Sequence, residues 1–99
     1  DGGHYGGGAI YNRNGYISIV NCVITNNSAI GSGNDGGGIM AGRGVAAKTF
    51  IDNCIINDNY ANQGGGGVFI NSGYLYITNN TVFSDNTAND DGGGICVNS

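Results

Sequence analysis

The sequence predicts an all-β solenoid, a parallel β-helix in which similar coils stack on one another. A run of glycines occurs four times, ending at Gly8, Gly38, Gly67 and Gly94, so the spacings are 30, 29 and 27 residues. A mostly apolar stretch follows each run, and the remaining segments are short and rich in Ile, Val, Tyr, Phe and Thr, which are typical strand formers. Self-similarity at a period of this size is typical of stacked repeat architectures.

Each unit also has a constant internal spacing. A small residue follows an Asn at Cys22, Cys54 and Thr81, and a second Asn comes five residues later and an Ala seven residues later. No apolar pattern at i, i+3, i+4 and i+7 is sustained, so helices are not expected. We therefore expect three strands per unit. The first follows the glycines, and the other two include residues 16–20, 23–25, 55–57, 74–78 and 82–84.

If one unit forms one turn, equivalent residues lie about 4.8 Å apart, which is the distance between paired strands. The second Asn of each unit then forms a ladder whose side-chain amides bond from coil to coil. The predicted interior rows and Asn ladder are Ile24, Ile56 and Phe83; Ala29, Ala61 and Ala88; Cys22 and Cys54; and Asn27, Asn59 and Asn86. The glycines are expected at positive φ or where two walls approach closely.

The two aligned cysteines allow two interpretations. A separation of one coil between Cys22 and Cys54 falls within the Cα range of disulfides. An interior row of reduced small residues is the favoured interpretation, because Thr81 takes the equivalent place in the third unit.

The units predict a single segment, 1–99, of about three and a half coils of about 27–32 residues each. The predicted coils are 6–35, 36–63, 64–91 and a partial coil 92–99. The terminal coils of a solenoid expose unpaired backbone groups unless they are capped, and no cap is evident. We expect neighbouring coils of a longer chain, or self-association of copies end to end or laterally, with the four copies of the first strand slightly favouring the longer chain.

Three stretches carry a family resemblance: Gly7–Tyr11, Asn53–Ala61 and Phe83–Ala88. They resemble the right-handed parallel β-helix family, and most of all the GGAI and FxxN repeats of polymorphic outer-membrane proteins and related surface adhesins. The resemblance implies a non-catalytic structural or adhesive segment, in a surface protein or a filament, located outside the cell or on its surface. The same fold also includes pectate lyases, polygalacturonases and phage tailspikes, so a fragment of a carbohydrate-active enzyme and a glycan-binding module are the alternatives.

Composition excludes several other classes of function. Only 10% of the residues are charged, and three basic residues against seven acidic ones give a net charge of −4. A nucleic-acid binder or an anionic-membrane binder needs a basic patch, which this chain cannot form. No apolar run reaches the roughly 18 residues of a membrane helix, so this segment is not expected to insert into a membrane. Asn26 and Asn79 begin N-glycosylation triplets, which weakly favour secretion.

Candidate catalytic residues are few, and a turn role is favoured for each. A lyase-like site, as the resemblance implies, needs an acidic calcium cluster with a basic residue. The residues that could supply it are Asp35, Asp52, Asp58, Asp85, Asp90 and Asp91, with Arg13, Arg43 and Lys48. A polygalacturonase-like site needs an Arg-x-Lys segment, which is missing beside Asp90 and Asp91. His4 is the single imidazole and has no evident partner. We therefore expect no catalytic residue, no metal site and no cofactor.

The residues after each glycine run are mostly apolar, so the in–out alternation of a half-exposed strand is lost. Such strands are usually buried on both faces, and we expect another chain, another domain or a neighbouring segment of this chain to pack on them. Ordinary exposure of single apolar residues is the alternative. The predicted interface residues are Ile10, Met40, Phe69 and Cys96.

Overall fold

The computed structural model describes residues 6–30, 35–42, 46–62, 64–89 and 92–97, and these residues form short strands without any helix. Every strand pairing among them is parallel, so the predicted all-β class and parallel stacking are confirmed. The strands in chain order are β1 (Gly6–Gly7), β2 (Ile10–Tyr11), β3 (Tyr16–Val20), β4 (Val23–Thr25), β5 (Ser28–Ala29), β6 (Asp35–Gly36), β7 (Ile39–Gly42), β8 (Lys48–Asp52), β9 (Ile55–Asn57), β10 (Tyr60–Ala61), β11 (Val68–Ile70), β12 (Tyr74–Thr78), β13 (Val82–Ser84), β14 (Thr87–Ala88) and β15 (Ile95–Val97).

Four sheets form the walls of the coil, so each coil has four strands rather than the three expected from the sequence, and each sheet contains the equivalent strands of successive coils. The additional strand is the short one of two residues that follows the Asn ladder. Wall A contains β2, β7, β11 and β15; wall B contains β3, β8 and β12; wall C contains β4, β9 and β13; wall D contains β5, β10 and β14. Strands β1 and β6 form a separate parallel pair. One circuit through walls A to D is one coil, so the described residues make three circuits and begin wall A of a fourth.

Wall B shows why these residues fold as strands with one face in the core. Successive side chains of a strand point to opposite faces. In β8, Thr49 and Ile51 are therefore buried, whereas Lys48 on the other face is exposed. The buried core residues of the four walls pack into one interior cluster, which comprises Ile19, Ile24, Ile39, Ala41, Ile51, Cys54, Ile56, Val68 and Ile70.

The corners on either side of wall C depend on asparagine and aspartate in the left-handed backbone conformation. The residues just before the Asn ladder have φ of 59° at Asn26, 56° at Asp58 and 53° at Asp85. Asn and Asp tolerate this conformation better than other non-glycine residues do. A second row with positive φ lies between walls B and C and comprises Asn21, Asn53, Asn79 and Asn80. The high Asn content therefore turns the chain at the same two corners in every coil.

Most described glycines of the runs lie where two backbone segments are too close for a side chain. Positive φ occurs within the described parts of the runs only at Gly65 and Gly92. A Cβ atom placed on Gly37 would collide with the carbonyl oxygen of Gly66 in the next coil and with the backbone of Tyr60 in wall D. The second of the two predicted roles, close approach between walls, therefore accounts for most of the run positions.

The structure of wall A shows that the predicted interface is wrong in two respects, the register of its first strand and the exposure of its residues. Ile10 pairs with Ile39, and Tyr11 pairs with Met40, so Ile10 belongs to the inward row and packs against the core. The outward row contains Tyr11, Met40, Phe69 and Cys96. The register differs from the prediction because Ala9 takes the place that the last glycine of the run, Gly38, holds in the second coil. Each of these two residues donates its backbone N–H to the carbonyl oxygen of the equivalent glycine in the next coil.

The outward row of wall A is also covered by the chain itself. Met40 and Phe69 are buried, with 0% and 3% of their surface exposed. A Cβ atom on Gly64 would lie 3.3 Å from the Phe69 ring and 3.1 Å from the Cys96 sulfur, so the glycine segment passes directly over these side chains. A neighbouring segment, one of the three partners expected for this wall, therefore covers Met40 and Phe69, and these two residues are not exposed to another molecule.

Candidate functional site

The Asn ladder links the three coils through side-chain amides. The side-chain oxygen of Asn59 accepts hydrogen bonds from the backbone N–H and the Nδ2 of Asn27, both at 3.0 Å. Asn59 in turn donates from its backbone N–H and Nδ2 to the side-chain oxygen of Asn86, at 3.1 and 3.0 Å. Nδ2 of Asn59 also donates to the carbonyl oxygen of Ile24 in the previous coil, at 3.0 Å. Each link therefore has one direction, with the earlier coil donating to the later Asn.

The structure aligns the predicted interior rows by backbone pairing. Ile56 pairs with Ile24 and with Phe83, and Ala61 pairs with Ala29 and with Ala88. Ile56, Ala29 and Ala61 have no exposed surface, whereas Phe83 and Ala88 of the third coil are half-buried. A residue of the second coil therefore has a neighbour from the coil before and from the coil after, and these neighbours exclude water from it.

The cysteine row differs from the expected interior row. Cys54 is buried, whereas Cys22 is exposed, because Cys22 lies in the first described coil and is covered from one side. Both residues are thiols rather than a disulfide. The Cys54 sulfur lies 3.3 Å from the carbonyl oxygen of Ile19 and 3.2 Å from that of Asp52, so it fills a polar niche between coils.

A buried polar link inside the coil escaped the sequence analysis. Asn12 is 4% exposed. Its Nδ2 donates to Thr49 Oγ1 at 2.9 Å and to the carbonyl oxygens of Gly15 and Lys48. Thr49 Oγ1 donates to the carbonyl oxygen of Ala41 at 2.6 Å. These bonds hold the corner between walls A and B, and no repeated sequence position marks them.

The candidate catalytic acids are not gathered into a cluster by the described residues. Asp58 and Asp85 occupy exposed corner positions. Asp52 accepts hydrogen bonds from Thr78 Oγ1 at 2.9 Å and from Asn79 Nδ2 at 2.6 Å. No group of three or more acidic, His or Cys residues lies within metal-binding reach of one another among the described residues. Several candidates lie outside the residues or side chains described: His4, the Asp35 side chain, Arg43, Asp90 and Asp91.

The two glycosylation candidates and the remaining basic residues occupy the surface. Asn26 and Asn79 are exposed, and the amide of Asn79 donates to Asp52. Arg13 lies exposed in the turn after wall A, and Lys48 lies exposed at the start of β8. None of the described residues belongs to a helix that could cross a membrane.

The outward face of wall B carries a cluster of aromatic rings, which we name the aromatic patch: Tyr16, Phe50, Tyr74 and Tyr76. The rings of Phe50 and Tyr76 stack at 4.6 Å between centroids with an interplanar angle of 9°. Tyr16 lies 5.0 Å from Phe50 and is tilted by 34°. Tyr74 lies 6.4 Å from Tyr76. The patch therefore spans all three coils.

Lys48 occupies the middle of the patch. It pairs with Tyr16 on one side and with Tyr74 on the other, and its ammonium nitrogen lies 5.8 Å from the centre of the Tyr74 ring. At this distance a lysine interacts favourably with the negative face of an aromatic ring. Asp52 is the acidic residue of the same outward face, at the far end of β8. The face is therefore aromatic, amphipathic and close to electrically neutral.

An open groove of about 330 Å³ follows the corner between walls B and C. Apolar side chains of wall C form one side of it, and the corner asparagines form the other. Asn53 Nδ2 donates to Asn21 Oδ1 at 2.7 Å within this row. The lining contains no acidic or basic side chain; it comprises Asn21, Cys22, Val23, Asn53, Cys54, Ile55, Asn80 and Val82.

The third coil contains the FxxN stretch from Phe83 to Asn86, followed by a glycine run and β15. A family model described as the Chlamydia polymorphic membrane protein repeat matches residues 75–98. The chain resembles these repeats. No curated protein and no solved structure matches it.

The match to the polymorphic membrane protein repeat confirms the predicted resemblance and places it on the fold. It extends from β12 through β15, which is one circuit of the coil ending on the next strand of wall A. The matched stretch includes Asn86 of the ladder as well as Tyr76 of the aromatic patch. The two earlier coils repeat the same strand order in register with it.

Proposed function

We propose that this chain is a non-catalytic structural and adhesive part of a cell-surface β-solenoid. The observation that carries the proposal is the coil-to-coil continuity of the Asn ladder and the four walls. The resemblance to polymorphic membrane protein repeats supports a location on the cell surface. In this proposal the stacked coils form a rigid stalk, and their side walls contact other molecules.

The edge formed by the third coil has hydrogen-bonding capacity that suits another coil. Asn59 uses Nδ2 for two acceptors, one in the previous coil and one in the next. Asn86 uses Nδ2 for the carbonyl oxygen of Ile56 in the previous coil. Among the described residues no acceptor takes the second N–H of that amide. A further Asn in the next coil would accept it and extend the ladder by one step.

The apolar side chains of the third coil support the same conclusion. Ile77 is 37% exposed, whereas its partner Ile51 in the second coil is fully buried. Full burial of an Ile side chain contributes about 1.5–3 kcal/mol, so burial of the exposed third of Ile77 would contribute about 0.5–1 kcal/mol. A coil stacked on this edge would therefore bury the exposed part of Ile77. It would also form backbone hydrogen bonds with β12, β13 and β14, which lie at the ends of their sheets.

The position of β15 decides which kind of coil fits best. β15 already occupies wall A above β11. A second copy that placed its β3 on β12 would bring its own β2 to the place of β15, so one of these two strands would have to move. A coil that continues from β15 has no such conflict. We therefore propose a neighbouring coil in the same chain as the first partner of this edge, and end-to-end stacking of copies as the second.

A tandem protein tests the proposal. Ile10 and Ile95 are equivalent positions of wall A, since both strands align through Ile39 and Val68. Residues 1–94 followed directly by residues 10–99 should therefore continue the coil in register and keep Asn12 at the corner of the second copy. The control joins two complete copies by a long Gly/Ser linker, which leaves them as separate units.

The in-register tandem should unfold cooperatively at a higher temperature than the linked control, because solenoid stability grows with each coil interface. Its urea m-value should also rise, since one larger unit exposes more surface on unfolding. Equal melting temperatures of the tandem and the control would contradict the proposed stacking. Calcium-dependent cleavage of polygalacturonate by the purified chain would contradict the non-catalytic part of the proposal.

A further inference from the structure

The aromatic patch is an exposed feature that the coil architecture does not explain. Tyr16 is 71% exposed, Tyr74 52% and Tyr76 43%. Single exposed apolar residues are ordinary on protein surfaces, but contiguous exposed patches mark binding sites. The four rings come from three separate strands, and the cross-coil register brings them together.

The arrangement of the rings leaves one broad surface open. Phe50 and Tyr76 cover each other's faces by stacking at 4.6 Å. Tyr16 contacts Phe50 at a tilt of 34° from the first coil, and its exposure of 71% shows that most of its ring remains in solvent. A tyrosine ring combines an apolar body with a polar hydroxyl group. An occupant with an apolar face and hydrogen-bonding edges fits such a ring.

The charges on the outward face of wall B and on the whole chain favour a neutral ligand. The outward face of wall B carries one positive and one negative side chain, Lys48 and Asp52. The carboxylate of Asp52 already accepts two hydrogen bonds, from Thr78 and Asn79. The whole chain has a net charge of −4, so a polyanion would be repelled at long range. A neutral ligand that accepts hydrogen bonds from Lys48 and the tyrosine hydroxyl groups suits this face better.

We propose that the aromatic patch binds a neutral glycan. The C–H face of one pyranose ring packs on Tyr16, and the ammonium group of Lys48 and the hydroxyl group of Tyr74 donate hydrogen bonds to sugar hydroxyl groups. The negative face of the aromatic ring attracts the weakly positive C–H groups of the sugar. This inference rests on the proposed function, because it names the molecule to which the side wall of the solenoid adheres.

Isothermal titration calorimetry with neutral hexasaccharides of glucose, mannose and galactose tests the inference. The wild-type chain should bind at least one of them. Tyr16→Ala should weaken binding about tenfold, because burial of an aromatic side chain under the sugar contributes at least about a tenfold gain in affinity. Tyr16→Phe should retain most of the affinity because it keeps the ring. Lys48→Ala should also weaken binding.

Matched controls exist on the other walls. Tyr11 is 43% exposed in wall A, and Arg13 is an exposed basic residue outside the patch. Tyr11→Ala and Arg13→Ala should leave the affinity unchanged. Far-UV circular dichroism of each variant verifies that the chain remains folded.

Several results would overturn the inference: no binding of any neutral hexasaccharide by the folded chain, equal binding by Tyr16→Ala, or binding confined to polygalacturonate. These failures can be told apart from failure of the proposed function. A tandem protein that gains stability while the patch binds no glycan contradicts this inference alone. A tandem protein that gains none contradicts the proposed coil stacking, whatever the patch binds.

Discussion

Replacing the central Asn of the ladder should destabilise the chain far more than replacing the first one. Asn59→Ala removes four side-chain hydrogen bonds, two accepted from Asn27 and two donated to Ile24 and Asn86. A typical hydrogen bond contributes about 1 kcal/mol net, so the expected loss is about 4 kcal/mol. Because small domains are stable by only about 5–15 kcal/mol, this variant should be near the limit of folding.

The first ladder position provides the matched comparison. Asn27→Ala removes two side-chain bonds, from Nδ2 to Asn59 and to the carbonyl oxygen of Thr25, so the expected loss is at most about 2 kcal/mol. Asn86→Ala removes three and should lie between the two. Urea unfolding followed by far-UV circular dichroism measures each free energy. Equal losses at Asn27 and Asn59 would refute the ladder as the link between coils.

Two further pairs of variants test the packing. Ile56→Ala should cost about 2–5 kcal/mol because the side chain is fully buried, whereas Ile55→Ala on the same strand should cost under about 1 kcal/mol because 45% of Ile55 is exposed. Similar losses in urea unfolding would contradict the inward direction of Ile56. Gly66→Ala should prevent the native coil from forming, since its Cβ would collide with the backbone of Gly93 and Thr87, while Gly94→Ala should fold normally because a Cβ there meets nothing within 4 Å. A well-folded Gly66→Ala chain, judged by its thermal transition, would disprove that close approach.

The interior of the fold was predictable because the offsets within each unit are constant. Cys54, Asn59 and Ala61 keep the same mutual spacing as their equivalents in the other units, so alignment of the sequence also aligns the coils. The predicted row of Asn27, Asn59 and Asn86 is the row that the structure bonds together.

The register of wall A was not predictable by counting from the glycines. The strand begins one residue later after Gly8 than after Gly38, because Gly8 is equivalent to Gly37 and Ala9 takes the place of the last glycine. A shift of one residue moves a side chain to the other face of a sheet, which is why Ile10 was assigned outward. The sequence also could not show that the chain itself buries Met40 and Phe69, since that depends on how the chain returns over wall A.

The aromatic patch was missed for a related reason. Its residues occupy different positions along their strands, with Phe50 and Tyr76 paired and Tyr16 diagonal to them. The one sequence signal was the alternation of Tyr74 and Tyr76 on a single face of a strand, which indicates a row of outward rings.

The most direct test of the central claim, that successive coils stack in this register, is a nuclear Overhauser spectrum of the isotopically labelled chain. Methyl groups of Ala29 and Ala61 should give a cross-peak, as should those of Ala61 and Ala88, because paired residues lie about 4.8 Å apart. Ala29 and Ala88 are two coils apart and should give none. Absence of the first two cross-peaks, or a direct one between Ala29 and Ala88, would contradict the stacked coil and the functions built on it.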